Sequence, residues 1–153
     1  MWNEEKGVPL QIITNIIGMK GTNKNTQNKT KQLVDNGTKQ LVDGIVEGMQ
    51  ARKGHHIRVV DLRKIDDTIC QYLVICEGNS PTQVSALADS VEEEVRMKVG
   101  EKPIAVHGLN NSIWIAMDYA DVLVHVFLPE AREFYDIDHL WEDADITDVE
   151  EDL

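Results

Sequence analysis

Apolar residues first recur at the spacing of an amphipathic helix a quarter of the way along the chain. From Thr38 onward they return every three or four positions, which places them on one stripe of a helix. The stripe consists of Leu41, Val42, Ile45, Val46 and Met49. We expect this helix to end near Gly54, because glycine is common just past the end of a helix.

A second helix is predicted by its own start signal, the segment GNSPTQV at residues 78–84. Ser80 is placed to cap the helix, Pro81 takes the first helical position, and Gln83 completes a capping box. An apolar stripe continues along the following residues, and Gly100 is the expected stop.

Five shorter runs have the composition of β-strands. They cover residues 57–62, 69–76, 103–107, 113–117 and 122–128. The second run is apolar almost throughout, which predicts an interior strand covered on both faces. The last two runs flank residues 118–121 and predict a hairpin with a four-residue loop. A short helix over residues 130–135 is expected after Pro129.

The order of these elements predicts the class of the fold. A helix, two strands, a second helix, three strands and a short helix give a mixed five-stranded sheet with helices packed on it, of the α/β or α+β class. We expect one domain, residues 37–142. Residues 1–36 are predicted to be a flexible extension with Met19 as a candidate for the true start, and the acidic residues 143–153 a disordered tail.

Charge and composition narrow the class of partner. The formal net charge of -12 would repel a phosphate backbone and favours a basic protein as partner over a nucleic acid. No run approaches the roughly 18 apolar residues of a membrane span, so no membrane association is expected. Cys70 and Cys76 lack metal-ligand spacing and are interpreted as small buried hydrophobic residues, which is typical of a cytoplasmic protein.

An enzymatic alternative rests on the helix start at Ser80, which resembles the phosphate-binding end of a metal-dependent nucleotidyl- or phosphoryl-transferase site. That chemistry needs paired carboxylates on a neighbouring strand to hold divalent metal ions, and neither of the next two predicted strands contains an acid. Ser80 or Cys76 with His107 or His125 lacks the surroundings of a catalytic nucleophile. We therefore predict no catalytic residue, metal or cofactor, with Ser80 as a helix cap and His125 as a hydrogen-bonded histidine within the sheet.

Aromatic residues gather between positions 113 and 141, although only 5% of the chain is Phe, Trp or Tyr. Trp114 either packs in the core under a helix or lies on a surface, because alternation fixes its face but not what covers that face. Others fall in a turn or near the chain end, where residues are usually exposed. They are Tyr119, Tyr135 and Trp141, with the apolar Leu140 beside the last of these. These residue types dominate many interfaces, which predicts a docking patch of about 800 Å² per partner.

Two motifs carry a family resemblance. Residues 66–95, DDTICQYLVICEGNSPTQVSALADSVEEEV, and the later pattern W-x3-DYxD-VLVHVF-x4-R-x2-Y-x4-LW resemble the bacterial ribosomal silencing factor, or Iojap-like, family over residues 38–142. The resemblance implies a nucleotidyltransferase-like fold without catalytic activity. It also implies binding to the fourteenth protein of the large ribosomal subunit, at the face that meets the small subunit. Such binding would block subunit joining and repress translation when nutrients are scarce, and a role in large-subunit maturation is also implied.

The resemblance also implies which residues bind the partner. The matching positions predicted to do so are Trp114, Asp118, Tyr119, Asp121, His125, Arg132, Tyr135, Leu140 and Trp141. Two positions depart from the family pattern: His107-Gly108 stands where Glu-Gly is usual, and Ala120 stands where the turn usually has Gly. The oligomeric state is left open, with a homodimer among the options.

Overall fold

A computed structural model describes residues 28–66, 68 and 70–151 of the chain, with side chains from residue 36 onward. Its helices are α1 (Asn28–Ala51), α2 (Pro81–Val99) and α3 (Pro129–Tyr135), followed by a 3-10 helix (Ile137–Trp141). Its strands are β1 (His55–Asp61), β2 (Tyr72–Glu77), β3 (Ala105–His107), β4 (Trp114–Asp118), β5 (Val122–Phe127) and β6 (Asp145–Asp148). The predictions made for residues 1–27 lie outside the described residues.

The strands form one mixed sheet in the order β3-β4-β5-β2-β1-β6. Only the central pair, β2 and β5, runs parallel, and the other four neighbouring pairs are antiparallel. This arrangement confirms the predicted mixed α/β or α+β class. It also confirms that the apolar run now assigned to β2 is an interior strand, since five of its six residues are buried.

Both faces of the sheet are covered, and each has its own core. On the helix side, α1 and α2 pack on the sheet, with Leu41 and Leu87 among residues that meet Ile115 and Val124. The two helices approach closely at Gly48, where a Cβ atom would lie 2.7 Å from the Cα of Val91. On the aromatic side, α3 and the 3-10 helix cover the face of the sheet that carries Trp114.

The ends of α2 follow the sequence signals. The Ser80 side chain accepts a hydrogen bond from the backbone N–H of Gln83, and Gly100 has a left-handed φ of 72° just past the last turn. The Gln83 side chain closes the capping box one residue earlier than expected, because its Oε1 accepts from the N–H of Asn79 at 2.7 Å. The interpretation of Ser80 as a helix cap is therefore confirmed.

The structure differs from the sequence predictions at both ends of the domain. Helix α1 begins at Asn28, inside the segment predicted to be flexible and ten residues before Thr38. The predicted disordered tail contributes β6, which makes the sheet six-stranded rather than five-stranded. The acidic tail is ordered here because β1 offers a free backbone edge and basic partners: Arg58 pairs with Asp148 at 2.7 Å, and Lys64 with Asp145 at 3.0 Å.

The β4–β5 hairpin is tighter than predicted. The register continues from Asp118 and Leu123 to the next pair, where the N–H of Tyr119 donates to the carbonyl of Val122 at 2.9 Å. Ala120 and Asp121 alone form the tip, in place of a four-residue loop. Ala120 has a φ of 69°, which favours glycine, and its N–H is held by the Asp118 carboxylate at 2.8 Å.

Replacing Ala120 with glycine is expected to raise the free energy of unfolding by about 1 kcal/mol, because glycine adopts the left-handed conformation without steric cost. The measurement is urea unfolding followed by circular dichroism. Ala86→Gly on α2 is the matched control and should lower stability by about 1 kcal/mol, since glycine is unfavourable inside a helix. Equal destabilisation by both changes would show that the turn is not strained.

Candidate interaction site

Trp114 lies in the core of the aromatic side. It is 1% exposed, and its ring centroid lies 4.8 Å from that of Phe127 on β5 and 4.6 Å from that of Tyr135 at the end of α3. Its Nε1 donates a hydrogen bond of 2.9 Å to Nδ1 of His125. Of the two alternatives that the sequence left open, the structure therefore selects the core position under a helix.

His125 is a neutral histidine buried within the sheet. Because its Nδ1 accepts from Trp114, the ring proton resides on Nε2. Burial lowers the pKa of His125 to about 3, with Asp138 acting weakly in the opposite direction. The interpretation of His125 as a sheet histidine with a hydrogen-bonded ring is confirmed, and its role is to hold the Trp114 indole in place.

The prediction that the aromatic rings form one exposed docking patch is wrong. Trp114, Tyr119 and Trp141 are 1%, 3% and 1% exposed, and His125 is equally buried. The rings also belong to different cores, because Tyr119 packs on the helix side while Trp114 and Trp141 pack on the aromatic side. The physical reason is that the segment after β5 turns back over the sheet, so that a residue near the chain end becomes interior.

Arg132 is also an interior residue. Its side chain is 11% exposed, and it donates to Glu77 at 3.0 Å, to Asp138 at 3.1 Å and to the carbonyl of His56 at 2.8 Å. Asp138 receives a second arginine, Arg58, at 3.1 Å. These bonds tie α3 and the 3-10 helix to β1 and β2, and so hold the cover of the aromatic side in place.

The two arginines also control the ionisation of Asp138. Burial by itself would raise the pKa of Asp138, but the hydrogen bond and positive charge of Arg132, together with those of Arg58, bring the pKa below its usual range. Asp138 is therefore a carboxylate at neutral pH.

The predicted partner-binding residues that reach solvent form a smaller group. Asp118, Asp121 and Tyr135 are half-buried, and Leu140 is 39% exposed. Sequence reasoning missed Phe134, which is 61% exposed and stands edge-on to Tyr135 with ring centroids 5.5 Å apart. A chain of ring contacts thus runs from buried Phe127 through Trp114 and Tyr135 to the surface. The sequence signal for Phe134 was a large aromatic residue on the outer side of a short amphipathic helix.

Four half-buried residues of the sheet extend this surface. The register places Ala105 opposite Asp118 and Asp118 opposite Leu123, so all three lie on the same face as Trp114. His107 lies two residues from Ala105 on that face. We define the docking surface as these four residues together with Tyr135 and Phe134. It is apolar with few charges, and the buried residues named above support it from below.

Lowering the pH from 6.5 to 5 is expected to reduce the free energy of unfolding by about 1.5 kcal/mol through His125. Its pKa is lower in the folded chain than in the unfolded one, so unfolding takes up a proton and stability is lost as the pH falls below 6.5, until about pH 3. His139 opposes this trend weakly, because Asp136 raises the pKa of that exposed ring. Urea unfolding at a series of pH values measures the slope.

The matched variant is His125→Asn, whose side-chain oxygen can replace Nδ1 as the acceptor for Trp114 but does not titrate. Its unfolding free energy should be flatter between pH 6.5 and 5 than that of the unchanged chain. The same slope in both proteins would show that another group is responsible.

Among the described residues, no three His, Cys, Asp or Glu side chains come together in a way that could hold a metal ion. No helix in this part of the chain is long and apolar enough to cross a membrane.

Comparison with known families identifies the group to which this fold and site belong. The family model described as "Ribosomal silencing factor during starvation" matches residues 35–153. The chain belongs to this ribosomal silencing factor family. The match includes the acidic segment of β6, so this strand lies within the part of the chain that the family model covers.

Individual proteins show similarity to this chain as well. The ribosomal silencing factor RsfS of Chromobacterium violaceum is 34% identical over 96 residues, which are 63% of this chain and 77% of that protein. The one of Haemophilus influenzae is 35% identical over 97 residues, 63% of this chain and 93% of that protein. A mouse protein named "Mitochondrial assembly of ribosomal large subunit protein 1" is 28% identical over 72 residues, 46% of this chain and 32% of that protein.

The fold agrees with a solved structure as well. A crystal structure of a protein from Chromobacterium violaceum superimposes with a TM-score of 0.63 and 32% identity, covering 67% of this chain and 84% of that one. The predicted family is therefore confirmed by sequence and by fold.

Proposed function

We propose that this chain binds the large ribosomal subunit at the face that meets the small subunit, and represses translation by blocking subunit joining. The observation that carries the proposal is the family match over residues 35–153, because the family is described as silencing ribosomes. A small domain with a packed core can block subunit joining sterically. It needs only a surface that binds the large subunit and enough volume to fill the space that the small subunit would occupy.

The proposed partner is a basic protein, the fourteenth of the large subunit. The net charge of -12 speeds encounter with a cationic protein, while the apolar docking surface supplies contact area once the two meet. Phe134 is the proposed anchor, because it is the most exposed ring on that surface and it rests on Tyr135. Asp118 of the docking surface and the nearby Asp121 and Leu140 are also proposed to contact the partner protein.

The buried members of the predicted site act indirectly in this proposal. Trp114, His125 and Trp141 set the position of Tyr135 and of the neighbouring sheet residues, and Arg132 fixes α3 against β2. Tyr119 supports the hairpin from the helix side. Substitutions at these positions would alter binding only by altering the fold beneath the docking surface.

The groups that an enzymatic mechanism would have used are engaged elsewhere. The Ser80 hydroxyl oxygen holds the helix start, and burial raises the pKa of the Cys76 thiol well above its usual range. These engagements favour a binding protein without catalysis, and the family match supports the cytoplasm as its proposed location. The name of the mouse relative supports a second role of this chain in large-subunit assembly.

The first test is sedimentation with purified large subunits. The unchanged chain should migrate with the subunit, and Phe134→Asp should weaken binding about thirtyfold, because an anchor ring contributes about 2 kcal/mol. Met97→Asp is the matched control, since Met97 is 71% exposed but lies on α2 at the helix side. It should bind as the unchanged chain does. Failure to co-migrate, or equal weakening by both variants, would exclude the proposed surface.

A further inference from the structure

Among the strands that the structure describes, β6 is the last at its end of the sheet, with no further strand beside it. All four of its residues, Asp145–Asp148, are exposed. The N–H of Val149 donates to the backbone carbonyl of Ile57 at 2.9 Å. Every second residue of an antiparallel pair forms such bonds, so the backbone N–H and C=O groups of Thr147 also point toward β1. The backbone N–H and C=O groups of Ile146 and Asp148 therefore point away from the sheet. Such a row of outward groups can pair with another extended chain.

An apolar groove lies beside this edge on the helix side. Its volume is about 500 Å³, and its walls come from α1, β1, β2 and the segment of β6. The apolar lining residues are Val42, Val46, Val59, Tyr72 and Val149. Because Thr147 and Val149 line the groove and also border the edge, side chains of an added strand that point to the helix side would enter it.

The charge around the edge decides what kind of chain fits. Residues 142–151 contain six acidic residues and no basic one. Lys64 and Arg58 pair with Asp145 and Asp148, while Glu150 and the Asp43 carboxylate on the groove wall are exposed. A second copy of this chain would bring acid against acid at the edge, which opposes pairing. A basic segment would meet complementary charge.

We propose that β6 accepts an extended basic segment of a partner protein as a seventh strand, with alternate apolar side chains in the groove beside α1. Backbone hydrogen bonds to Ile146 and Asp148 supply the pairing, and the groove selects apolar residues at every second position. This surface lies at the opposite edge of the sheet from β3 and does not depend on the function proposed above.

The test uses the full chain and a synthetic eight-residue peptide of alternating valine and lysine. Binding is measured by calorimetry, and the amide protons of Ile146 and Asp148 are followed by NMR hydrogen exchange. We expect binding below about 1 mM and slower exchange of these two amides. A peptide of alternating serine and lysine, which has the same charge, should bind at least about tenfold more weakly. No ribosome is present, so this outcome is separate from that of the sedimentation test.

One pair of variants tests the edge itself. Ile146→Pro removes an outward N–H without removing a hydrogen bond to β1, and it should weaken binding of the valine-lysine peptide about tenfold. Ile146→Ala keeps the N–H and should weaken it less than about threefold. If the proline variant does not fold, hydrogen exchange in the unchanged chain decides the question.

Several results would overturn the proposal. They are absence of binding at about 1 mM peptide, equal binding of the serine-lysine peptide, unchanged exchange of the two amides, and equal affinity of a folded Ile146→Pro variant. Dimerisation of the chain without peptide would assign the edge to a second copy. Much tighter peptide binding after removal of residues 1–27 would assign the groove to the chain's own amino-terminal segment.

Discussion

Trp114→Ala should lower the free energy of unfolding by about 4 kcal/mol, the loss expected for a large aromatic removed from a packed core. The indole is 1% exposed and contacts the rings of Phe127 and Tyr135. Its removal also leaves Nδ1 of buried His125 without its donor. Urea unfolding measures the loss, and the midpoint should fall while the slope stays that of a cooperative transition.

Phe134→Ala is the matched control for this substitution. Phe134 belongs to the same chain of ring contacts but is 61% exposed, so its removal should change stability by less than about 0.5 kcal/mol. The two variants separate a core role from a surface role. If Trp114→Ala kept full stability and only weakened ribosome binding, the indole would be at the interface and the interior position would be wrong.

Gly108→Ala is expected to cost at least about 4 kcal/mol or to prevent folding. A Cβ atom there would lie 2.0 Å from the carbonyl oxygen of Trp114, and the φ of 93° disfavours any residue with a side chain. Backbone meets backbone at this point, so a rotamer change cannot relieve the clash. The displaced strand would be β4, which carries Trp114 and Asp118.

Gly37→Ala on α1 provides the opposite control. No atom lies within 4 Å of a Cβ added there, and alanine is favoured over glycine inside a helix by about 1 kcal/mol. Thermal unfolding should therefore give a higher midpoint for Gly37→Ala and a much lower one, or no transition, for Gly108→Ala. A mild effect at Gly108 would mean that β3 and β4 are further apart than described.

Local signals in the sequence were sufficient for α2 and for the hairpin strands. The cap at Ser80 and the proline after it act together at one end of the helix, and Gly100 acts at the other. Each signal bonds only to residues a few positions away, so the local sequence decides both ends. The interior position of β2 also followed from its unbroken apolar run.

The misplaced elements depend on residues far apart in the chain. The acidic tail becomes β6 because Arg58 and the open edge of β1, about 90 positions earlier, pair with it, and composition alone predicts disorder for such a segment. The burial of Trp114 required knowing that both sheet faces are covered. Alternation gave its face correctly, but Ile115 on the other face is equally buried. Sequence reasoning therefore placed an exposed patch on rings that are buried, and it missed the exposed ring of Phe134.

Light scattering on mixing purified bacterial small and large subunits tests the proposed block of subunit joining most directly. Large subunits first saturated with this chain should join small subunits far more slowly and to a lower extent than free large subunits. Subunits preincubated with Phe134→Asp should join nearly as fast as free ones. Unchanged joining by large subunits shown to carry the bound chain would contradict a steric block at the intersubunit face.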